Sequence, residues 1–151
     1  MSDAAEQALD DRIRVERGVF GLMDQDTAGC PSPWPQGAPP EDEEVWAQTN
    51  RVDFTSAAPD HYVTVRLEAW PEEPPVEGEA EVELELTSGV VELWSLTGGP
   101  SGRSLRVGPP GTYGLRVDCR RDDDRLMRYF QAPTSSAEGI EAYVLRFWPE
   151  Q

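Results

Sequence analysis

A strict period of two runs through residues 77–86, where the sequence is EGEAEVELEL. Glutamates occupy every odd position, and small or apolar residues occupy the even positions. Because successive side chains of an extended chain point to opposite sides, this alternation predicts a β-strand with one charged face and one apolar face. The charged face would hold Glu77, Glu79, Glu81, Glu83 and Glu85.

The same period recurs in short segments that are separated by turn residues. These segments include RVDFTS, HYVTVRLEAW, VVELWSL, RSLRV, TYGLRVDCR, RLMRYFQA and EAYVLRFWP. Few stretches could form an amphipathic helix, so the pattern predicts an all-β fold, an antiparallel β-sandwich of about eight strands. One expected buried face consists of Tyr113, Leu115, Val117 and Cys119.

Interruptions of the period indicate the domain organisation. Residues 1–10 are small, polar and acidic, which predicts a flexible N-terminal tail, and residues 11–151 are expected to form a single β-sandwich domain. Residues 25–48 contain five prolines and no regular period, which predicts one long acidic, proline-rich loop. Within that loop, EDEEVWAQ could form a short helix after Pro40.

The TSG segment that follows the glutamate strand predicts a hairpin turn centred on Ser88 and Gly89. In that register Leu86 lies opposite Val91, and Glu85 lies opposite Glu92. Like charges directly opposite each other destabilise a sheet by up to about 1 kcal/mol. The predicted hairpin would therefore carry electrostatic strain.

The charge balance restricts the class of partner. The chain has 29 acidic residues against 13 basic ones, for a net charge of −16, and every basic residue is arginine. Such a field repels nucleic acid and anionic membranes, and attracts a basic protein. The N-terminus, MSDAAEQALDDR, has no basic or apolar region of a secretory signal, so we expect a cytoplasmic protein.

Two interpretations of the glutamate strand remain open. In the first, outward arginines of later strands, such as Arg106, Arg116 and Arg120, neutralise the carboxylates across the sheet. In the second, part of the array is a docking surface for a basic protein, because long-range attraction speeds association. Solubility alone is a third, weaker explanation.

The long loop adds a second group of candidate partner-binding residues. Aromatic side chains next to charges are typical interface anchors, although they can also pin a loop to its own core. The group consists of Trp34, Glu41, Asp42, Glu43, Glu44 and Trp46.

Catalytic chemistry is not indicated. His61 is the only histidine, and no serine elbow accompanies it, so we expect a structural role. The DDD at 122–124 is expected to be a solvated turn, since it lacks the spacing of a calcium loop. Cys30 and Cys119 are expected to be free thiols, or one disulfide if the protein is exported. We expect no enzyme activity, no metal site and no cofactor.

Several segments resemble the competence nuclease inhibitor family of bacilli. The resemblance rests on VERGVFGLMDQD, YVTVRLEAW, RSLRVGPPGTYGLRV and EAYVLRFWPE, and it spans the chain from about residue 12 to the end. It implies a non-enzymatic sandwich that binds and blocks a protein, such as a nuclease. The lysine-free composition is also typical of a high-GC actinobacterium.

These arguments together predict an acidic protein that docks on a basic protein partner, as an inhibitor or immunity protein of a nuclease or toxin. The alternative is a carbohydrate- or small-ligand-binding module. In that alternative, exposed aromatic side chains would line a concave sheet face, and the candidates are Trp70, Trp94 and Trp148.

Overall fold

The computed structural model describes residues 5–26, 44–134 and 136–150, and within them the chain forms ten strands and one helix. In chain order the elements are β1 Gln7–Glu16, β2 Val19–Asp24, β3 Val45–Gln48, β4 Arg51–Thr55, β5 Asp60–Ala69, β6 Ala80–Leu86, β7 Val90–Ser95, β8 Gly99–Arg106, β9 Gly111–Arg121, α1 Asp123–Gln131 and β10 Glu138–Pro149. The all-β prediction is confirmed. The two-layer sandwich is not, because the strands form one sheet that curves into a nearly closed barrel.

The sheet divides into two walls at the turn between β1 and β2. The order of hydrogen-bonded strands is β3-β4-β2-β1-β5-β10-β9-β6, and β7 pairs with both β2 and β8. At the turn, Arg17 and Gly18 have positive φ angles of 54° and 78°. Beyond the pair Glu16 and Val19, β1 continues along β5 while β2 continues along β4 and β7. This divergence places β3-β4-β2-β7-β8 opposite β1-β5-β10-β9-β6.

The core lies between the two walls and is built from the apolar sides of the alternating strands. Phe20 stacks on Phe54 with ring centroids 4.8 Å apart, and Tyr143 meets Phe20 edge-on at 5.0 Å. The predicted buried face of β9 is confirmed for Tyr113, Leu115 and Val117, whereas Cys119 is only half-buried.

The predicted β6–β7 hairpin register is wrong. β6 pairs with β9, and β7 pairs with β2 and β8, so Glu85 lies opposite Thr112 and not opposite Glu92. The carboxylate of Asp24 accepts hydrogen bonds from the backbone N–H groups of Ser88 (3.1 Å) and Gly89 (2.9 Å). After this contact the chain passes from one wall to the other. Glu85 and Glu92 therefore lie in different walls, and the expected repulsion between them does not arise.

Two secondary-structure boundaries predicted for the N-terminal half of the chain also need correction. Residues 7–10 were expected to be flexible tail, but they belong to β1, where Gln7 pairs with Ala69 of β5. Of the segment expected to form a helix after Pro40, residues 41–43 lie outside the described residues, and Val45–Gln48 form β3. Val45 and Ala47 pack against the core from this strand, so tertiary burial favours the strand here.

The RLMRYFQA segment, predicted as a strand, forms most of α1. The DDD sequence starts this helix and is not a solvated turn, since the Asp122 side chain accepts a hydrogen bond from Arg125 N (3.1 Å) as the N-cap. Tyr129 anchors the helix by packing with Ala58 and Ile140. The Asp122 cap and the packing of Tyr129 therefore make this segment a helix.

Candidate functional site: the glutamate face of β6

All five glutamates of the alternating segment are exposed. Glu81, Glu83 and Glu85 project from β6, while Glu77 and Glu79 come directly before it. We call these five residues the glutamate face. Its period-two pattern places the apolar Val82, Leu84 and Leu86 on the inner side, where Leu84 and Leu86 are buried.

The second predicted group is only partly described. Glu44 is exposed and its carbonyl oxygen accepts a hydrogen bond from Thr55 N (2.9 Å), while Trp46 is half-buried on β3. The remaining members lie outside the described residues, namely Trp34, Glu41, Asp42 and Glu43. A backbone hydrogen bond from Asn50 N to Glu85 O (2.8 Å) links the β3–β4 turn to the glutamate face.

One arginine lies across the strand pair from the glutamate face. Arg116 of β9 is opposite Glu81, with its Nε 3.0 Å from Glu81 Oε1, while Glu83 and Glu85 are opposite Gly114 and Thr112. Gly114 and Thr112 carry no charge. The cross-strand neutralisation considered from the sequence therefore occurs at a single position of β6.

Arg116 is also fully engaged elsewhere. Its guanidinium binds Glu73 Oε2 (2.8 Å) and the carbonyl oxygens of Pro74 (2.8 Å) and Val76 (3.1 Å), and it lies 4.9 Å from the ring of Trp148. Burial lowers the pKa of Arg116, but its hydrogen bonds to Glu73 and Glu81 outweigh burial and raise it. Arg116 thus holds the 71–79 segment against the sheet. It has no N–H donor left for another residue of the glutamate face.

The other two candidate arginines do not reach the face. Arg106 of β8 lies opposite Val90, and Arg120 of β9 lies opposite Ala142 of β10. Within residues 5–26, 44–134 and 136–150, the carboxylates of four glutamates form no ion pair: Glu77, Glu79, Glu83 and Glu85. Most of the glutamate face is therefore unneutralised within the described structure.

On the side away from β9, β6 pairs with no other described strand, although β3 lies beside it. β6 ends the sheet order, and the carbonyl of Glu85 points away from β9 because it accepts the hydrogen bond from Asn50. Alternate residues of a strand direct their backbone groups to the same side, so the N–H and C=O groups of Glu81 and Glu83 also face this edge. An open edge is a template for pairing with another chain, and charged side chains on it exclude unspecific partners.

The sequence did not reveal a buried polar network around Glu141. The Ser56 hydroxyl donates to this carboxylate, as do Arg121 Nε (2.9 Å) and the Tyr143 hydroxyl (3.2 Å), and His61 Nε2 lies 2.8 Å from Ser56 Oγ. Burial raises the pKa of Tyr143 and lowers that of His61. No motif joins these residues, because they come from sequence positions up to 87 apart that only the sheet brings together.

The geometry of this network is not that of a hydrolase triad. In a triad the carboxylate orients the imidazole through its Nδ1–H, whereas here Glu141 binds the serine and His61 Nδ1 has no partner among the described residues. His61 is fully buried, so no substrate reaches its ring. The arrangement can hold β5, β10 and the Ser56–Ala58 turn together, as expected for a structural histidine.

The aromatic residues of the alternative binding module are not arranged as it requires. Trp70 and Trp148 are buried, and Trp94 is half-buried. Among the described residues, no group of three or more histidine, cysteine or acidic side chains is placed to hold a metal ion. The helix that is described is also too short and polar to cross a membrane.

No protein-family model matches the chain, and no curated protein matches it in sequence. Its fold resembles two solved proteins. One is ComJ of Bacillus subtilis, an inhibitor of the DNA-degrading activity of NucA, with a TM-score of 0.57 at 13% identity over 97% of this chain and 98% of ComJ. The other is the crocagin biosynthetic gene J product, with a TM-score of 0.58 at 16% identity over 98% of this chain and 100% of that protein. The ComJ-like resemblance drawn from the sequence is thus confirmed for the fold.

Proposed function

We propose that this protein is a non-enzymatic acidic binding protein that docks on a basic protein partner, as an inhibitor or immunity protein of a nuclease or toxin. The proposal depends on one observation. Four carboxylates of the glutamate face, those of Glu77, Glu79, Glu83 and Glu85, make no ion pair within the described residues. A row of like charges without ion-pair partners attracts a cation-rich surface and is neutralised when that surface binds over it.

The shared fold supports the inhibitory role. ComJ, which has this fold, inhibits the DNA-degrading activity of NucA. A nuclease binds the phosphate backbone through cationic side chains, and a row of carboxylates at a strand spacing of about 6.6 Å per two residues offers that surface a substitute for phosphates. The partner class therefore follows from charge complementarity together with the fold.

Backbone groups of β6 that pair with no described strand supply a way to set the register of the complex. A partner segment in extended conformation can add to this edge of β6, using the backbone groups of Glu81 and Glu83, while its alternate side chains face the glutamates. Backbone pairing gives affinity, and the row of carboxylates selects arginine or lysine at alternate positions. Electrostatic attraction then acts mainly on the rate of association.

The test is binding and nuclease inhibition with a panel of purified basic nucleases and nuclease toxins. We expect one of them to bind tightly at about 0.01 M salt, where charges act over about 30 Å, and less tightly at about 0.15 M, where they act over about 8 Å. The double variant E83Q/E85Q should weaken that binding at least tenfold and relieve the inhibition, mainly through slower association.

The matched control is E6Q/D123N, which removes the same charge from exposed positions outside the glutamate face. We expect it to change affinity less than twofold. Equal losses in both double variants would show that net charge alone drives binding. Binding that ignores both salt and E83Q/E85Q would contradict the proposed site.

A further inference from the structure

A cavity of about 270 Å³ lies on the outer face of the wall that contains β4, β2 and β7. Its floor is Gly21, which lies opposite Asp53 of β4 and opposite Trp94 of β7. Val52 and Leu93, the residues next to these two in sequence, belong to the core, so the Asp53 and Trp94 side chains lie on the outer face. Because Gly21 has no side chain, a gap remains between them. The other lining residues are Val19, Phe20, Met23, Arg51, Ser95 and Leu96.

A buried ion pair forms one side of the cavity. Arg51 Nε lies 2.9 Å from Asp53 Oδ2, and Arg51 Nη2 lies 3.0 Å from Asp53 Oδ1. Both side chains are more than nine-tenths buried, with 7% and 1% of their surfaces exposed. Arg51 Nη1 also lies 3.8 Å from Met23 Sδ, and these contacts together fix the position of the ion pair.

The charges that line the cavity already neutralise each other. Among its described lining residues, the charged ones are Arg51 and Asp53, which form the ion pair. Glu92 lies opposite Met23 but does not line the cavity, and its carboxylate accepts a hydrogen bond from Gly102 N (2.7 Å). A charged ligand would therefore find no unpaired opposite charge in the lining, and burying it there is unfavourable.

One carboxylate oxygen of the ion pair borders the gap above Gly21. A Cβ atom added to Gly21 would lie 3.3 Å from Asp53 Oδ1. Within residues 5–26, 44–134 and 136–150, Asp53 accepts side-chain hydrogen bonds from Arg51 alone, one at each oxygen. An ionised carboxylate can accept about four hydrogen bonds. Asp53 Oδ1 can therefore accept one N–H from a molecule that fills the gap.

The rest of the cavity suits a flat apolar ring. Val19, Met23, Trp94 and Leu96 are the apolar residues around the gap. Aromatic rings pack favourably against an indole and against the sulfur of methionine. A cavity of about 150 Å³ lined by apolar side chains holds benzene, so a cavity of about 270 Å³ accommodates two fused rings.

We propose that this cavity binds a small, uncharged molecule with two fused aromatic rings and one ring N–H. The rings lie on Gly21 beside Trp94, and the N–H donates to Asp53 Oδ1. The site differs from the concave face of the alternative binding module, because Trp94 lines it whereas Trp70 and Trp148 do not. None of the five residues of the glutamate face lines it either, so the proposal is independent of the proposed function.

The test is a calorimetric titration of the protein with ligands that share one ring system: indole, 1-methylindole, indole-3-acetate and tryptamine. We expect indole to bind with a dissociation constant on the order of 1 mM or lower. 1-Methylindole, which lacks the N–H, should bind at least fivefold more weakly, and the anionic and cationic ligands at least tenfold more weakly. The amide NMR signals of Gly21, Met23 and Trp94 should shift when indole is added.

A pair of glycine variants tests the position of the site. Gly21→Ala places a methyl group in the gap and should weaken indole binding at least tenfold. The matched control is Gly111→Ala on β9, outside the cavity, where an added Cβ meets nothing within 4 Å, and it should leave the affinity unchanged. Urea denaturation of both variants checks that they are folded, and the comparison of ligands on the wild type does not depend on either variant.

The proposal fails if 1-methylindole or a charged ligand binds as tightly as indole. It also fails if folded Gly21→Ala binds indole as the wild type does, or if Gly111→Ala is as harmful as Gly21→Ala. Tighter binding of N-acetyltryptophanamide than of indole would overturn it as well, because the cavity would then suit a tryptophan side chain of a protein.

Discussion

The guanidinium of Arg116 lies 4.9 Å from the ring of Trp148, between the sheet and the 71–79 segment. The same guanidinium binds Glu73 and Glu81, so one residue joins β9, β10, β6 and the segment before β6. Gly114, the outward residue next to Arg116 on β9, leaves space for the indole. Because Arg116 is used in this way, it forms no ion pair with Glu83 or Glu85.

Replacing Arg116 with glutamine should destabilise the protein. The change removes ion pairs to Glu73 and Glu81, hydrogen bonds to two carbonyl oxygens and the contact with Trp148. We expect a loss of roughly 1–3 kcal/mol in the free energy of unfolding, measured by urea denaturation. The control R106Q should change it by less than about 0.5 kcal/mol. A loss as small as that for R116Q would show that Arg116 does not fasten the segment.

Adding a methyl group at Gly114 should disturb the packing of Trp148. A Cβ at this position would lie 2.3 Å from Trp148 Cζ2, and the indole is buried, so it cannot move aside freely. We expect Gly114→Ala to lower the free energy of unfolding by about 1–3 kcal/mol and to change tryptophan fluorescence. Gly111→Ala on the same strand meets nothing within 4 Å and should be nearly neutral. Equal effects of the two changes would contradict this explanation.

Neutralising Glu83 and Glu85 should stabilise the folded protein slightly. Carboxylates two residues apart on a strand are about 7 Å from each other and repel by about 0.6 kcal/mol in water without salt. We expect the urea midpoint of E83Q/E85Q to rise at low salt and to approach that of the wild type as salt is added. Glu81→Gln should lower the midpoint instead, because it breaks the pair with Arg116.

His61 should make the free energy of unfolding depend on pH at values above those at which carboxylates ordinarily titrate. Burial lowers its pKa below the ordinary 6.5, so the unfolded chain takes up a proton at a higher pH than the folded one. Stability is therefore lost as pH falls below 6.5, with a slope of up to about 1.4 kcal/mol per pH unit. In His61→Gln the free energy of unfolding should vary less between about pH 5 and 7. An unchanged slope would show that another group titrates.

Cys119 should react slowly with thiol reagents. Burial raises its pKa to about 11, so very little thiolate exists near neutral pH. In the variant C30S, where Cys119 is the only thiol, we expect iodoacetamide to react at least ten times more slowly in the folded protein than in urea. The time course of alkylation by mass spectrometry gives both rates. Equal rates would show that the thiol is exposed in the folded state.

The positions of the strands, and the side of each strand on which a side chain lies, were predictable because both depend on residues that are close in sequence. The alternation in TYGLRVDCR correctly indicated buried Leu115 and Val117, since apolar residues two apart share a face. The α1 helix was missed because its apolar residues also fit a short strand, and the signal that decides it is the Asp122 cap. The network around Glu141 was not predictable, because its members are distant in sequence.

The period of two in EGEAEVELEL was enough to place the odd-numbered glutamates on one side of a strand, because backbone geometry imposes that period on any extended chain. It was not enough to tell what lies beside them. Whether Glu85 meets Glu92 or Thr112 depends on which strand pairs with β6, and that pairing results from contacts such as Asp24 with Gly89, 65 residues apart. Such contacts leave no local pattern, so which glutamates of the face have an ion-pair partner became visible only in the assembled sheet.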